Sequence, residues 1–231
     1  MNEPTAHGHQ SLSEHLNGTK TNTRPVVCVF CGASDGTTDV HLKAAEELAH
    51  KLHDANAKLV YGGGNTGIMG MVARTLVSLS GPDSVHGVIP HELVKHEMKR
   101  SKGGLDENVV GRVTKVNSMH ERKDMMAKEV VAGGPGSGFV ALSGGFGTLE
   151  ELAEVTTWNQ LGIHDRPVVV FNVDGYWDGL FQWLRTAVKA GFVNEDSAPI
   201  MAEAKTADEA MKALQGYVSA KGRFDLDWEK K

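Results

Sequence analysis

Short apolar runs alternate with segments of helical periodicity along most of the chain, and this alternation is the strongest constraint on its fold. The strand-like runs, rich in β-branched residues, occupy residues 26–31, 58–61, 85–89, 109–116, 139–142 and 167–172. Helical patterns cover residues 42–52, a segment ending near 79, 119–131, a segment ending near 161, 178–190 and 206–220. Strands that are apolar throughout are buried on both faces, as when helices cover both sides of a parallel sheet. We therefore predict a single doubly wound, Rossmann-like α/β domain with a central parallel sheet and helices on both faces.

Length and composition agree with one globular domain. The chain has 231 residues, of which 40% are hydrophobic and 23% charged. We predict that the domain spans residues 25–221, between a flexible N-terminal tail at 1–24 and a C-terminal tail at 222–231. The net charge of -5 provides no broad basic surface for nucleic acid. No apolar run is long enough to cross a membrane and no secretory signal is visible, so we expect a cytoplasmic protein without membrane contacts.

Cys28 and Cys31 form a C-x-x-C pattern, but both lie in an apolar strand-like run. Residues three apart on a strand point to opposite faces, so we expect two buried thiols instead of a redox or metal pair. The histidines lack the spacing of metal ligands, and nothing marks a lysine for pyridoxal phosphate. We expect neither a metal nor another cofactor.

The segment YGGGNTGIMG at residues 61–70 matches the dinucleotide pattern G-x-G-x-x-G through Gly62, Gly64 and Gly67. That pattern also needs an acidic residue about 20 positions later, at the end of the next strand, to hold the ribose. The first acid after that strand is Glu92, which lies 30 residues past Gly62 and beyond a proline. A nicotinamide enzyme is therefore not indicated, and we expect these glycines to shape the mouth of a mononucleotide pocket.

A second glycine loop lies in VALSGGFGTLEELAEVTTW, residues 140–158, where a strand leads into Gly144, Gly145 and Gly147. Thr148 is predicted to open a helix, and glycines together with a helix N-terminus favour a bound anion. The Lys-Ser/Thr pair of a triphosphate loop is missing, so the expected ligand is a monophosphate. Thr148 and Glu151 also have the T-x-x-E spacing of a helix capping box, which leaves a purely structural role open.

Three motifs, SGGFGTLEE, SMHERKDMM and GGGNTGIMG, together resemble the Lonely Guy family. Members of that family are cytokinin riboside 5′-monophosphate phosphoribohydrolases, and they often carry the label lysine decarboxylase. The likeness extends over most of residues 25–193 and includes CGAS, VIPHEL and QLGIHDRPVVVFNVDGYWD in the family's order. Several motifs in the right order are a far more specific signal than one glycine pattern.

The resemblance implies that Arg122 and Glu151 are the catalytic pair. It also implies a set of nucleotide-binding residues: Gly63, Gly64, Glu97, Met119, Lys123, Gly144, Gly145, Phe146, Gly147, Thr148, Leu149, Glu150 and Thr157. This chain departs from the family pattern at Ser143, where the family has proline, and the change should loosen the start of the loop. Arg122 and Glu151 are 29 residues apart, more than is usual, and AGGPGSG at residues 132–138 is expected to be a flexible surface insertion that accounts for the surplus.

The implied reaction is hydrolysis of the N-glycosidic bond of an adenosine-type 5′-monophosphate, giving the free base and ribose 5-phosphate. Positive charge develops at the anomeric carbon as the bond breaks, and a carboxylate such as Glu151 can stabilise it or activate the water. We expect the helix N-terminus to keep Glu151 ionised. Arg122 would pair with Glu151 or hold ribose and phosphate oxygens. The sequence offers no obvious acid for the leaving base.

Two other classes of function stay open. A non-catalytic carrier of a nucleotide or of the molybdenum cofactor could use the same glycine loops, although it could dispense with the Arg–Glu pair. Binding of single-stranded DNA fits poorly with the acidic balance. The expected partner is a nucleoside monophosphate, and the resemblance implies a homodimer or larger homo-oligomer with the pocket near the subunit boundary. The sequence does not decide whether the base must be prenylated, and we expect the deciding residues within 95–108.

Overall fold

The computed structural model describes residues 24–100, 105–226 and 228 of the chain. Within these ranges one sheet contains β1 (Val26–Phe30), β2 (Lys58–Tyr61), β3 (Val85–Pro90), β4 (Arg112–Val116), β5 (Gly138–Ala141), β6 (Val168–Phe171) and β7 (Met201–Ala204). All neighbouring strands are parallel, in the order β4-β3-β2-β1-β5-β6-β7. The chain thus builds the sheet outward from β1 in both directions, which confirms the predicted doubly wound topology.

Helices cover both faces of this sheet, over two separate apolar clusters. Val27, Val29 and Cys31 belong to the cluster under α1 (Val40–Asp54), α2 (Gly67–Ser80) and α8 (Ala207–Gln215). Cys28 and Phe30 belong to the other cluster, under α5 (Met119–Val131), α6 (Phe146–Gln160) and α7 (Asp178–Lys189). Successive side chains of β1 therefore enter opposite cores, which explains why the run is apolar at every position. The two cysteines are buried, unbonded and on opposite faces, as predicted.

Two α-helices and one strand were not predicted: α3 (His91–Arg100), α4 (Glu107–Val110) and the edge strand β7. The strand predicted over residues 109–116 is wrong at its start, because Val109 and Val110 belong to α4. Gly111 ends that helix with a φ of 83°, and β4 begins at Arg112. A left-handed φ suits glycine, so Gly111 is the point at which the backbone changes from helix to strand.

The insertion at residues 132–138 was predicted as a surface loop, and this is wrong for part of it. Gly133, Gly134 and Ser137 are buried. Ser137 Oγ accepts a hydrogen bond from Val26 N at 2.8 Å and donates one to Gly134 O at 2.7 Å. The insertion therefore packs against the amino end of β1, at the opposite end of the sheet from the glycine loops.

Most of the predicted N-terminal tail, residues 1–23, lies outside the described residues. Phe224 and Trp228 of the predicted C-terminal tail hydrogen-bond to the end of α6. Phe224 N donates to Gln160 O at 2.7 Å, and Trp228 Nε1 donates to Leu161 O at 2.9 Å. Across the described ranges, no helix combines the length and the apolar character that crossing a membrane requires.

The sheet order reverses between β1 and β5, and the loops after these strands meet there. Gly32 N donates to Ser143 O at 2.9 Å, and Met69 N donates to Gly32 O at 3.0 Å. The loop after β1 is therefore tied by its backbone to the segments that contain both glycine motifs. In doubly wound sheets the crevice at this reversal, outside the carboxyl ends of the strands, is where ligands bind.

Candidate active site

A cavity of about 230 Å³ opens at the carboxyl ends of β1, β2, β3 and β5. Its walls are formed by Cys31, Gly32, Ala33, Gly62, Gly64, Met69, Ile89, Leu93, Glu97, Arg122, Gly145, Gly147, Thr148 and Glu151. The structure thus brings together seven of the predicted site residues, namely Gly64, Glu97, Arg122, Gly145, Gly147, Thr148 and Glu151. They come from segments far apart in sequence, so the cavity exists only in the folded chain.

Arg122 lies in the first turn of α5 and is fixed from two sides. Ser118 caps this helix, since its Oγ accepts a hydrogen bond from Glu121 N at 3.1 Å. Arg122 Nε donates to Val88 O at 3.2 Å, and Nη1 lies 3.3 Å from Glu151 Oε1. The Arg122 and Glu151 side chains are only 9% and 7% exposed. Truncating one partner of such a buried pair leaves a costly unpaired charge, so the pair acts as one unit.

Glu151 Oε1 keeps the capacity to accept a hydrogen bond. Its contact with Arg122 is within ion-pair distance, but it lacks hydrogen-bond geometry, and no described residue donates to this buried oxygen. A buried acceptor without a donor is costly, and it is suited to a hydroxyl or a water inside the cavity.

Burial raises the pKa of Glu151 above its ordinary value, and the Arg122 guanidinium opposes the rise. The prediction that the helix N-terminus keeps Glu151 ionised is wrong. Glu151 is the sixth residue of α6, and the field of a helix end falls off within the first turn. Arg122, and not the helix N-terminus, is the main group that favours the charged carboxylate.

Thr148 and Glu151 do not form a capping box, so that interpretation is wrong. The N-cap of α6 is Gly145, and the helix starts at Phe146, two residues before the predicted start. Thr148 is therefore already helical, and its side chain is buried against Gly144. A Cβ added to Gly144 would overlap the Thr148 hydroxyl. Glu151 is then placed on the inner face of the helix, toward Arg122.

The start of α6 leaves an open space beside its amides. A Cβ added to Gly145 or to Gly147 would meet no described atom within 4 Å. Neither glycine has a positive φ, so the backbone conformation does not require glycine at these positions. What the two glycines provide is room next to the free N–H groups and the positive end of the helix, which is the arrangement that binds phosphate.

The first glycine loop forms another wall of the cavity. Gly62 gives space to Arg122, because a Cβ at this position would overlap the guanidinium. Gly63 has a φ of 76° and packs toward Ile89, so Gly62 and Gly64, not Gly63, line the cavity. The loop therefore positions the arginine and opens the pocket, in agreement with the expected role of its glycines.

Glu97 adds a second buried carboxylate to the cavity. It comes from α3, is 7% exposed, and its Oε2 accepts a hydrogen bond from Asn65 N at 3.3 Å. The same oxygen lies 3.3 Å from the point where a Cβ on Gly64 would be. In the described part of the chain, no group of three or more His, Cys, Asp or Glu side chains is arranged to hold a metal ion.

The remaining predicted site residues do not line this cavity: Gly63, Met119, Lys123, Gly144, Phe146, Leu149, Glu150 and Thr157. Lys123 instead pairs with Glu150 and, at 3.0 Å, with Glu154. Phe146 is 93% exposed. Six wall residues were not predicted, namely Cys31, Gly32, Ala33, Met69, Ile89 and Leu93. Most of them follow β1, β2 or β3, so the shared carboxyl edge of a parallel sheet could have indicated them.

A larger apolar groove of about 710 Å³ lies between α6 and α7, outside this cavity. Its lining includes Leu149, Thr157, Tyr176, Leu180, Trp183 and Val193. Trp183 is 57% exposed. Thr157, which the resemblance places around the nucleotide, lies on this face of α6 instead of the cavity face. An apolar surface of this kind marks an interaction site more often than a chemical one.

Comparisons with known proteins agree with the motifs. A family model described as possible lysine decarboxylase matches residues 69–214. The bifunctional cytokinin biosynthesis protein of Fusarium pseudograminearum (strain CS3096) is 49% identical over 206 residues, 88% of this chain but only 42% of that protein. The cytokinin riboside 5′-monophosphate phosphoribohydrolase LOG3 of Arabidopsis thaliana is 42% identical over 205 residues, 88% of each chain. This chain therefore spans less than half of the fungal relative and most of the plant one.

Solved structures show the same fold. The Moco carrier protein of Chlamydomonas reinhardtii has a TM-score of 0.57 and 19% sequence identity, and the match covers 84% of this chain and 96% of that chain. The molybdenum cofactor binding protein of Rippkaea orientalis matches with a TM-score of 0.57 and 18% identity, over 84% of this chain and 96% of that chain. At such identities the likeness concerns the fold alone.

The fold and the site define a doubly wound α/β protein that has a glycine-lined cradle at a helix start and a buried Arg–Glu pair beside it. Proteins of this class belong to several families, and the sequence identity to the plant and fungal relatives shows which family this chain belongs to. The chain belongs to the Lonely Guy family, the family that the lysine decarboxylase model also describes.

Proposed function

We propose that the protein hydrolyses the N-glycosidic bond of an adenosine-type nucleoside 5′-monophosphate, releasing the free base and ribose 5-phosphate. The observation that carries this proposal is the buried Arg122–Glu151 pair in the same cavity as the open space over Gly145 and Gly147. In such a substrate one ribose carries both the phosphate and the anomeric carbon. The start of α6 can bind the phosphate, and the Glu151 carboxylate can face the anomeric carbon. The names of the plant relatives support this substrate class.

Phosphate binding would orient the substrate. The free amides of the first turn of α6 and the helix dipole attract a phosphate dianion, and the glycines let its oxygens come close. Glu97 lines the wall built by α3 and can accept a hydrogen bond from a ribose hydroxyl. The ribose is then held with its anomeric carbon facing Glu151.

Glu151 acts in its ionised form. As the glycosidic bond breaks, positive charge accumulates at the anomeric carbon, and the carboxylate stabilises it and accepts a proton from the attacking water. Oε1 is the oxygen placed for this, since no described residue donates a hydrogen bond to it. The water hydroxyl ends on the anomeric carbon, the departing base takes up a proton from solvent, and Glu151 returns to solvent the proton that it accepted. Arg122 favours the charged carboxylate and can bind sugar or phosphate oxygens, but it does not itself donate a proton.

Incubation of the purified protein with AMP or N6-prenylated AMP, followed by chromatography of the free base, tests this reaction. We expect Glu151→Gln and Arg122→Ala each to lower kcat by about 100-fold or more, because each removes charge stabilisation at the reacting centre. Glu154→Gln is the matched control, one turn further along α6 and outside the cavity, and should keep most of the activity. Full activity in Glu151→Gln would refute the mechanism. Tight nucleotide binding by the unsubstituted protein without base release would indicate a carrier instead.

We also propose that two copies of the chain pair through the apolar groove between α6 and α7. The groove is large and exposes Trp183, and α6 extends from the cavity to the groove. A second copy seated in the groove would lie beside the cavity. Thr157 of this chain would then be near the subunit boundary, where the family resemblance places the pocket.

Light scattering tests the pairing through the mass in solution. We expect a dimer, and we expect Trp183→Glu to produce monomers because it places a charge in an apolar interface. Val218→Glu is the control, since Val218 is 86% exposed and lies outside the groove. A dimer that survives Trp183→Glu unchanged would place the interface elsewhere.

A further inference from the structure

Ser143 is the one departure from the family motif within the phosphate loop, and its side chain has a specific partner. Its Oγ lies 2.9 Å from His41 Nδ1, in a hydrogen bond between two residues that are 102 positions apart. His41 belongs to α1, an element that contributes no residue to the cavity. Ser143 itself is buried, so this contact lies under the loop and not on its outer surface.

Tyr176 holds the neighbouring residue of the loop. Its hydroxyl donates a hydrogen bond to the carbonyl of Gly144. The rings of Tyr176 and His41 meet edge to face, with centroids 5.7 Å apart and an interplanar angle of 77°. Ser143, His41, Tyr176 and Gly144 thus form a closed ring of contacts around the first two residues of the loop.

We propose that His41 and Tyr176 are positioning residues that orient the phosphate loop of this chain, and that the His41–Ser143 bond acts where the family pattern has proline. A proline fixes its own φ, and serine does not. Here the side-chain bond at Ser143 and the carbonyl bond at Gly144 restrict the same stretch of backbone from outside. Because the amide that follows Gly144 belongs to the N-cap of α6, the orientation of the Gly144 carbonyl also sets the direction of the first cradle amide.

The expected consequence follows from the site of action. Neither ring lines the cavity, so neither is expected to affect the bond-breaking step directly. A loosened cradle weakens phosphate binding equally in the ground state and the transition state, which raises KM and leaves kcat nearly unchanged. Loss of one hydrogen bond of ordinary net strength corresponds to a factor of roughly 5 to 10.

The experiment compares His41→Ala and Tyr176→Phe with the unsubstituted protein, using the nucleoside 5′-monophosphate on which the proposed function rests. We expect KM to rise roughly 5- to 10-fold in each variant while kcat stays within about twofold. Ser143→Pro introduced into the His41→Ala background should restore KM, because proline then fixes the loop without the histidine. An unchanged KM, a fall confined to kcat, or a failure of proline to restore KM would overturn the proposal.

A second measurement separates this proposal from the proposed function. Backbone hydrogen exchange of residues 143–149, followed by mass spectrometry without any ligand, should be faster in His41→Ala and return to the original rate with Ser143→Pro. Exchange that is the same in all three proteins would overturn the positioning role even if the enzyme is active. Absence of base release by the unsubstituted protein would overturn the proposed function, and the exchange result would still decide the positioning role.

Discussion

Gly62→Ala is the substitution that tests the geometry of the catalytic pair most directly. Gly62 is buried, and its φ is not positive, so alanine can adopt its backbone conformation. The added methyl would nevertheless overlap Arg122 Nη2, lie 3.1 Å from its Cζ, and lie 3.2 Å from Met69 Cε. Arg122 Nε is bonded to Val88 O, so the guanidinium has to give up this bond or its place beside Glu151.

The size of the effect follows from the size of the displacement. Clearing the methyl requires a shift of the guanidinium by about 1 Å or more, and misplacement on that scale costs about 100-fold in rate. We therefore expect kcat/KM for base release to fall about 100-fold, while overpacking lowers the free energy of unfolding by only about 1–3 kcal/mol.

Chromatographic kinetics and urea unfolding on the same samples measure the two quantities separately. Gly179→Ala is the control, because Gly179 is exposed in the first turn of α7 and its added Cβ would meet nothing within 4 Å, so neither quantity should fall. If Gly62→Ala retained the kcat/KM of the unsubstituted protein, the position of Arg122 beside Gly62 could not matter for the reaction.

Three further predictions concern pH and stability. Burial raises the pKa of Glu151, so kcat/KM should decline on the acid side with a midpoint above the ordinary carboxyl range; a pH profile that falls only at ordinary carboxyl values would contradict this. Burial lowers the pKa of His164 from 6.5 to about 4, so its unfolded form takes up the proton first. Urea unfolding should then show that the unsubstituted protein loses about 2 kcal/mol of stability between pH 7 and 5 and that His164→Gln does not. The same loss in both proteins would refute this prediction. Ser137→Ala leaves Val26 N without its acceptor, so calorimetry should show roughly 1–3 kcal/mol less stability with unchanged kcat, and altered kcat would contradict the separation of the two regions.

The fold could be predicted where burial leaves a pattern in the sequence. The strands β1, β2, β3, β5 and β6 are covered on both sides, so their runs are mostly apolar, with Lys58 in β2 and His86 in β3 as polar exceptions. The strand β7 has the sequence MAEA and lies at the sheet edge, where only Ala204 is buried, and so it leaves no such signal. The helix α3 was missed because its sequence, HELVKHEMKR, is polar on nearly every side, yet it carries Glu97 into the cavity.

The candidate site could be predicted for residues whose chemistry is visible in motifs. Arg122 and Glu151 were identified through a resemblance, and the glycine loop was identified from its own pattern; the structure places Arg122, Glu151, Gly145 and Gly147 in one cavity. Ile89 and Leu93 lie in VIPHEL, a motif of the family likeness, but neither was assigned to the site, because an apolar side chain near a strand end can be either a wall residue or a core residue. For Thr157 the resemblance predicts a nucleotide contact, but in the single chain this residue lines the apolar groove instead of the cavity.

The two ends of the sheet explain why this chain tolerates a long spacing between its catalytic residues. Arg122 lies at the start of α5, and Glu151 lies near the start of α6, so both face the carboxyl ends of the strands. The insertion lies between the end of α5 and the start of β5, and Ser137 anchors it to the amino end of β1. Extra residues there lengthen the sequence between Arg122 and Glu151 without changing either helix start. The distance between the two side chains is set by the strands and helix starts that hold them, which is why 3.3 Å is compatible with a separation of 29 residues.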